Sequence, residues 1–442
     1  MNLRSRPSAW SILILLACFL LPVSLVPSTW GTFFRVPPLP YVWWTDNLLL
    51  AFAVVVMGFR LLGGSGARIH ASTRRWFLLP TLALGIWQTM SLAWNDRDGF
   101  MTLYSFQQSL LMCSAVLAGT MLTSGLGLGE RLRLARRLAV LVSWIVAVYA
   151  GLSFVFPAWR PSYEWSDLST KGLNFIRLFG PLGTSTTLNF ALTPVLGVCV
   201  GMLFLPRTWW KLFWGGLALF VVACILATGS RGGLVSFAAF CLLLLVSLRL
   251  RSILFLAPVG MILAGILLFA GAPERFRNLE DRSRFDTYDT ALRVWTSRPR
   301  NVVVGAGHGA LYSKLHDDSL RSIEQQGRWY LVDEKTPFGY TLRNSHSALL
   351  RSLVETGAVG FVLQCVPLLW VMGRLLLPRP GGREPRALFG RSVLAGCSAM
   401  IAYMAVEEFF ISAYWIVLLW TMFAVIGAET VERQPEAARL LV

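Results

Sequence analysis

Apolar runs of about 18–25 residues recur along the whole of this 442-residue chain, and a run of that length crosses the hydrocarbon core of a bilayer as a helix. No other feature restricts the fold so strongly. In lipid the backbone must satisfy its own hydrogen bonds, which leaves helices and closed barrels as the spanning structures. The runs are continuous and do not alternate, which argues against a barrel. Hydrophobic residues make up 55% and charged residues 14% of the chain, too little charge for a soluble protein of this size. The expected fold class is therefore an all-α polytopic membrane protein.

Twelve spans are predicted, at 9–27, 42–62, 76–94, 103–123, 138–156, 187–205, 209–228, 233–248, 252–270, 349–377, 389–410 and 412–430. They divide the chain into a first membrane part (1–270), one large hydrophilic segment with short helices (271–348) and a second membrane part (349–442). The first run follows Arg4 and Arg6 as a signal peptide's would. It lacks a clear small-x-small cleavage site and more spans follow, so it is read as an uncleaved span.

Loop arginines set the orientation. One alternating set of short segments carries 21 Lys and Arg residues, among them Arg74, Arg75, Arg131, Arg133, Arg136, Arg137, Arg374 and Arg391; the opposite set carries six. Both termini are thus expected in the cytoplasm, with 271–348 on the outer face. Topology accounts for roughly half of the basic residues behind the net charge of +17. They are spread over many loops and no nucleic-acid module is visible, so anionic ligands at the membrane are the better partner. The seven cysteines all lie inside apolar runs without Cys-x-x-Cys or Cys/His spacing. They read as small apolar residues rather than disulfides or metal ligands.

Segment 271–348 is too long for an idle connection. Residues 283–297 suit an amphipathic helix with Tyr288, Ala291, Leu292 and Trp295 on its apolar face, ended by Pro299. A Gly-rich turn and a second helix follow over 305–327, and 343–361 leads into the tenth span. Three of the four histidines fall here: His308, His316 and His346. Their spacings of 8 and 30 contain no His-x-x-x-His and no nearby cysteine, so no metal site is expected. His346 stands where the tenth span begins. A helix N-terminus disfavours imidazolium and so favours the neutral ring a general base needs; a capping or interfacial histidine is the plainer alternative.

Arg231 poses the sharpest question. It lies in a short turn (ATGSRGG, 227–233) between two apolar runs, on the face where topology asks for no positive charge. Snorkelling, a salt bridge to Glu355 or Glu408, or an anionic ligand would each account for it. Arg177 and Arg284 lie on the same predicted face beside helix starts. Three arginines and a histidine on one face suit a diphosphate, because the guanidinium fork grips phosphate bidentately. Glu355 follows His346 by nine residues and falls on roughly the opposite helix face, so an arginine on a neighbouring helix is its expected partner. Glu407 and Glu408 call for a similar partner, structural or substrate.

With these residues placed, the chain resembles the bacterial O-antigen ligase/polymerase superfamily of membrane glycosyltransferases over roughly residues 170–375. Ser230-Arg231-Gly232 matches its Ser-Arg-Gly turn. Ser283-Arg284 with Trp295 matches its arginine-opened helix, and Gly305-Ala306-Gly307 its Gly-x-Gly turn. His346 with Glu355-Thr356-Gly357 matches its His…Glu-Thr-Gly stretch at the same spacing. Ser347 stands where the family more often has Asn, and Ala348-Leu349 replace its aromatic neighbourhood. The resemblance implies a GT-C-like architecture in the bacterial inner membrane with a periplasmic active site. It implies a donor glycan on undecaprenyl diphosphate and, in the ligase branch, a sugar hydroxyl of lipid A-core as acceptor. It implies no nucleotide sugar and no cofactor and, for the ligases, no required metal. His346 would be the general base, Arg231 and Arg284 catalytic, with Arg177 also on the diphosphate, and Glu355, His308 and Glu408 supporting. Within the superfamily a polymerase or a protein O-oligosaccharyltransferase uses the same donor. An anionic-lipid flippase would instead show internal repeats and mid-membrane charge, which are not evident. Spans one to five suggest no role beyond scaffold and lipid groove.

Overall fold

The computed structural model describes residues 71–94, 109–110, 113, 128–155, 185–206, 208–228, 230–248, 282–310, 347–376 and 385–406. These residues are helical with short turns, and there is no strand among them. The helices are α1 (Ala71–Trp94), α2 (Leu128–Val155), α3 (Ser185–Leu203), α4 (Thr208–Ala227), α5 (Arg231–Leu248), α6 (Arg282–Thr296), α7 (Pro299–Val304), α8 (Ala348–Leu376) and α9 (Pro385–Val406). Among the described residues, four stretches are long and apolar enough to cross a membrane: Ala71–Trp94, Trp210–Ala227, Ala348–Leu376 and Ala387–Ala405. Leu192–Leu203 and Gly232–Ser247 are shorter apolar helices. Large side chains such as Leu212, Leu219, Trp144 and Leu369 are exposed, as expected of helices that face lipid rather than water. The chain is an integral membrane protein.

The ends of α3, α4, α5 and α8 fall within two residues of the predicted spans. α2 differs: it starts at Leu128, ten residues before the expected 138. Arg131, Arg133, Arg136 and Arg137 thus form its first turns and not a loop, because the helix continues past its apolar part. Spans one, two, nine and twelve, and most of span four, lie outside the described residues.

α3 and α9 form the centre. Their backbones approach where Gly197 and Gly396 meet: a β-carbon on Gly197 would lie 2.7 Å from Ser392 O, and one on Gly396 2.9 Å from Thr193 O. Small residues permit such contact, and close packing is the principal attraction between helices in lipid. Leu192, Val195, Leu196, Cys199, Val393, Ala399 and Met400 fill the surrounding core. α5 lies against α9, and α8 joins α9 to α1.

Two polar contacts give the helices their directions. Arg374 near the end of α8 donates to Ser72 Oγ at the start of α1, 3.0 Å away. Arg391 near the start of α9 donates to Ser247 O at the end of α5, 2.7 Å away, a cation against the negative end of a helix. Both pairs are therefore antiparallel. The connection 377–384 between α8 and α9 reaches about 30 Å at full extension, less than the roughly 40 Å length of α8, so these two are antiparallel as well. The starts of α5 and α8 and the ends of α1 and α9 consequently share one end of the bundle.

Within the hydrophilic segment, α6 matches the predicted helix to one residue, but its buried face is turned. Ala291 and Val294 are buried and Trp295 packs beside them, whereas Leu292 is exposed. The small side chains allow α6 to come close to Ala306, Ala310 and Val354. Pro299 does not merely end a helix. It opens α7 at the first helical position, where its missing N–H costs nothing.

Candidate functional site

The Ser-Arg-Gly turn is a helix cap. Ser230 O accepts the first α5 bond from Leu234 N (3.2 Å) and Ser230 Oγ accepts from Gly233 N (3.3 Å), the geometry in which serine is a preferred N-cap. Arg231 is the first residue of α5, beside its free N–H groups and positive dipole end; its side chain lies outside what is described. A buried polar cluster fixes the turn. Asn189 Nδ2 donates to Thr228 Oγ1 (3.0 Å), Ser230 N donates to the same oxygen (3.3 Å), and Ser230 Oγ lies 3.5 Å from Tyr403 Oη. Gly233 is required by space: a β-carbon there would fall on the Asn189 carboxamide. Below it, Thr193 Oγ1 and Ser236 Oγ meet at 3.2 Å. Three helices, α3, α5 and α9, thus hold one short turn.

Ser347 plays the same part for α8. Its carbonyl takes the first helical bond from Arg351 N (2.9 Å), and its hydroxyl accepts from Leu350 N (3.2 Å). An asparagine would cap in the same way. His346 immediately precedes this cap and lies outside the described residues, as do Arg177, Glu408 and His316. Arg284 belongs to the first turn of α6, its side chain likewise undescribed.

What the structure does bring together is the Gly-rich turn and a break in α8. Gly305, Gly307 and Gly309 all have positive φ, and so does Gly357 (φ 66°, ψ −172°) within α8, a conformation essentially restricted to glycine. At the break the α8 carbonyls are released from their helical partners. Ala306 N donates to Val354 O (2.9 Å) and Gly307 N to Glu355 O (3.0 Å). Gly305 and Gly357 lie backbone to backbone: a β-carbon on Gly305 would fall on the Glu355 carbonyl and the Gly357 nitrogen, and one on Gly357 on Gly305 N and Val303 O.

A buried charged cluster lies beside this joint. His308 Nδ1 is 3.1 Å from Glu355 Oε2, and Arg351 Nε is 3.2 Å from Glu355 Oε1. All three side chains are buried. A carboxylate removed from water needs such partners. The arginine that meets Glu355 comes from one turn earlier on the same helix, not from a neighbouring helix as expected. Its i,i+4 spacing is visible in the sequence. Among the described residues no group of three His, Cys, Asp or Glu side chains is close enough together to hold a metal ion.

α1 completes the joint, which sequence reading missed. His308 N donates to Ser91 Oγ (2.9 Å), and Ser91 Oγ donates to Gln88 O (2.7 Å). Trp87 Nε1 donates to Thr356 O (2.9 Å). These partners are 217 and 269 residues apart in sequence, and no local pattern signals them. The third span is thus part of the joint and not only scaffold. On the far side, Trp295 Nε1 donates to Val302 O (3.3 Å) and Asn301 Nδ2 to Val294 O (3.2 Å), locking α6 to α7.

Comparison with known proteins agrees with the motifs. No curated protein matches the chain. Residues 216–365 match the family model for O-antigen ligase, a stretch that contains the Ser-Arg-Gly cap, Arg284, the Gly-rich turn, His346 and the α8 break. Over that stretch, about a third of the chain, the sequence is similar to the O-antigen ligase family.

Proposed function

We propose that this protein is an O-antigen ligase of the bacterial inner membrane. It transfers a glycan from undecaprenyl diphosphate to a sugar hydroxyl of lipid A-core at the periplasmic face, with both termini cytoplasmic and about twelve helices in all. The observation that carries this reading is the family match over 216–365, which contains the residues the chemistry needs, apart from Arg177. The shared bundle end of the α5 and α8 caps supports it.

In the proposed reaction the neutral imidazole of His346 accepts the proton of the acceptor hydroxyl. The acceptor oxygen attacks the anomeric carbon from the face opposite the diphosphate. The carbon–oxygen bond to the diphosphate breaks, its electron pair stays on the phosphate oxygen, and the configuration inverts. Arg231, Arg284 and Arg177 hold the diphosphate and stabilise the charge on the leaving group. Guanidinium groups remain charged at any working pH, and this reading requires no metal and no cofactor.

Single substitutions in reconstituted full-length protein test the roles. Loss of one preorganised contact to the transition state costs about 2–4 kcal/mol, or roughly 30- to 1,000-fold in rate. Arg231→Ala and Arg284→Ala should lower kcat/KM for the donor by that factor while the protein still inserts and folds. His346→Ala should lower kcat at unchanged donor KM. Wild-type rates in all three would contradict the assignment.

A further inference from the structure

We infer that His308 and Glu355, buttressed by Ser91 of α1, are positioning residues that latch the Gly-rich turn into the α8 break and so set where the start of α6, which carries Arg284, stands relative to the Ser347 cap of α8. The inference rests on the proposed transferase reading for what is positioned; the latch itself stands on geometry. α6, which carries Arg284 in its first turn, has its buried face on Ala306, Ala310 and Val354. The first turns of α8, from the Ser347 cap to the break at Gly357, are one continuous helical stretch, and His346 precedes its cap in sequence. The two bodies meet directly at Val354 and through the turn 305–309. The Ala306 and Gly307 backbone bonds hold one side of it. His308 holds the other, its ring on Glu355 and its N–H on Ser91. None of these groups is required to touch substrate. Each acts by fixing a second residue, and misplacement of about 1 Å in a catalytic arrangement costs on the order of 100-fold in rate.

The chemistry of the latch separates two replacements. His308→Asn keeps an N–H donor at nearly the position of Nδ1, whereas His308→Ala leaves the Glu355 oxygen facing a void. Full-length wild type and both variants would be placed in lipid nanodiscs. Hydrogen exchange of segment 282–310 would then be measured alongside transfer kinetics with undecaprenyl-diphosphate-linked O-antigen and lipid A-core. The expected result is faster exchange across 282–310 in His308→Ala, with kcat down about 10- to 100-fold and donor KM within about threefold. His308→Asn should restore both. Unchanged exchange in His308→Ala overturns the latch whatever the activity. Faster exchange with wild-type kcat leaves a structural joint and overturns the positioning role, as does loss of activity in both variants with wild-type exchange. If wild type transfers nothing in a validated assay, the transferase reading fails and the positioning claim with it. The exchange data would still report whether the turn is latched, so the two failures are distinguishable.

Discussion

A methyl group at Gly305 tests the joint between the Gly-rich turn and α8 directly. Gly305 has φ 83° and ψ 172°, and holding a non-glycine residue there costs about 1–3 kcal/mol. Its β-carbon would also fall on the Glu355 carbonyl and the Gly357 nitrogen. These are backbone atoms that cannot rotate aside, and such overpacking costs about 1–3 kcal/mol more. Gly305→Ala should therefore weaken docking of the turn by about 2–6 kcal/mol. Local opening free energy is read by amide exchange, and 2 kcal/mol corresponds to about 30-fold in an equilibrium constant. The Ala306 and Gly307 amides, which donate to Val354 O and Glu355 O, should exchange at least that much faster in intact protein. Gly215→Ala is the control. No atom lies within 4 Å of its added β-carbon and it sits inside α4, so alanine there should stabilise by up to about 1 kcal/mol. Protection of Ala306 and Gly307 unchanged in Gly305→Ala would refute the packing argument.

The buried ion pair and the central helix contact make further predictions. Arg351→Met leaves Glu355 without its cation and should lower stability by about 3–5 kcal/mol. Combining it with Glu355→Leu should cost less than the sum of the single changes, with a coupling above about 1 kcal/mol in a thermal-unfolding cycle. Strict additivity would mean the pair is not coupled. Gly197→Leu would drive a side chain into Ser392 and Val393 of α9 and should abolish a monodisperse folded peak in size exclusion. Gly216→Leu, with open space around it, should leave that peak intact.

Apolar run length located the described membrane helices well, because hydrocarbon thickness fixes helix length regardless of neighbours. The start of α2 escaped, since arginine favours helix as readily as leucine does and a helix need not end where its apolar part ends. The face of α6 was misjudged at Leu292 because 3.6-residue periodicity admits two adjacent stripes; Ala306 and Val354 decide between them, and they are remote in sequence. Both serine caps were present as motif residues, yet their function is visible only as the bonds to Gly233 and Leu350. Arg351 could have been paired with Glu355 from spacing alone. Ser91 and Trp87 could not, because their contacts to His308 and Thr356 depend on how α1 lies against α8. Glycine at 305 and 357 was legible as a motif, whereas the reason for it, two backbones in contact, required coordinates.

The central claim is that this chain transfers a lipid-linked glycan to lipid A-core without a metal. Purified full-length protein would be supplied with undecaprenyl-diphosphate-linked O-antigen and lipid A-core, in EDTA and without nucleotide, beside His346→Ala. The account predicts glycan on lipid A-core with wild type and none above background with the variant. Longer lipid-linked chains with untouched lipid A-core would instead identify a polymerase, and transfer that persists in His346→Ala or fails until a divalent cation is restored would contradict the mechanism.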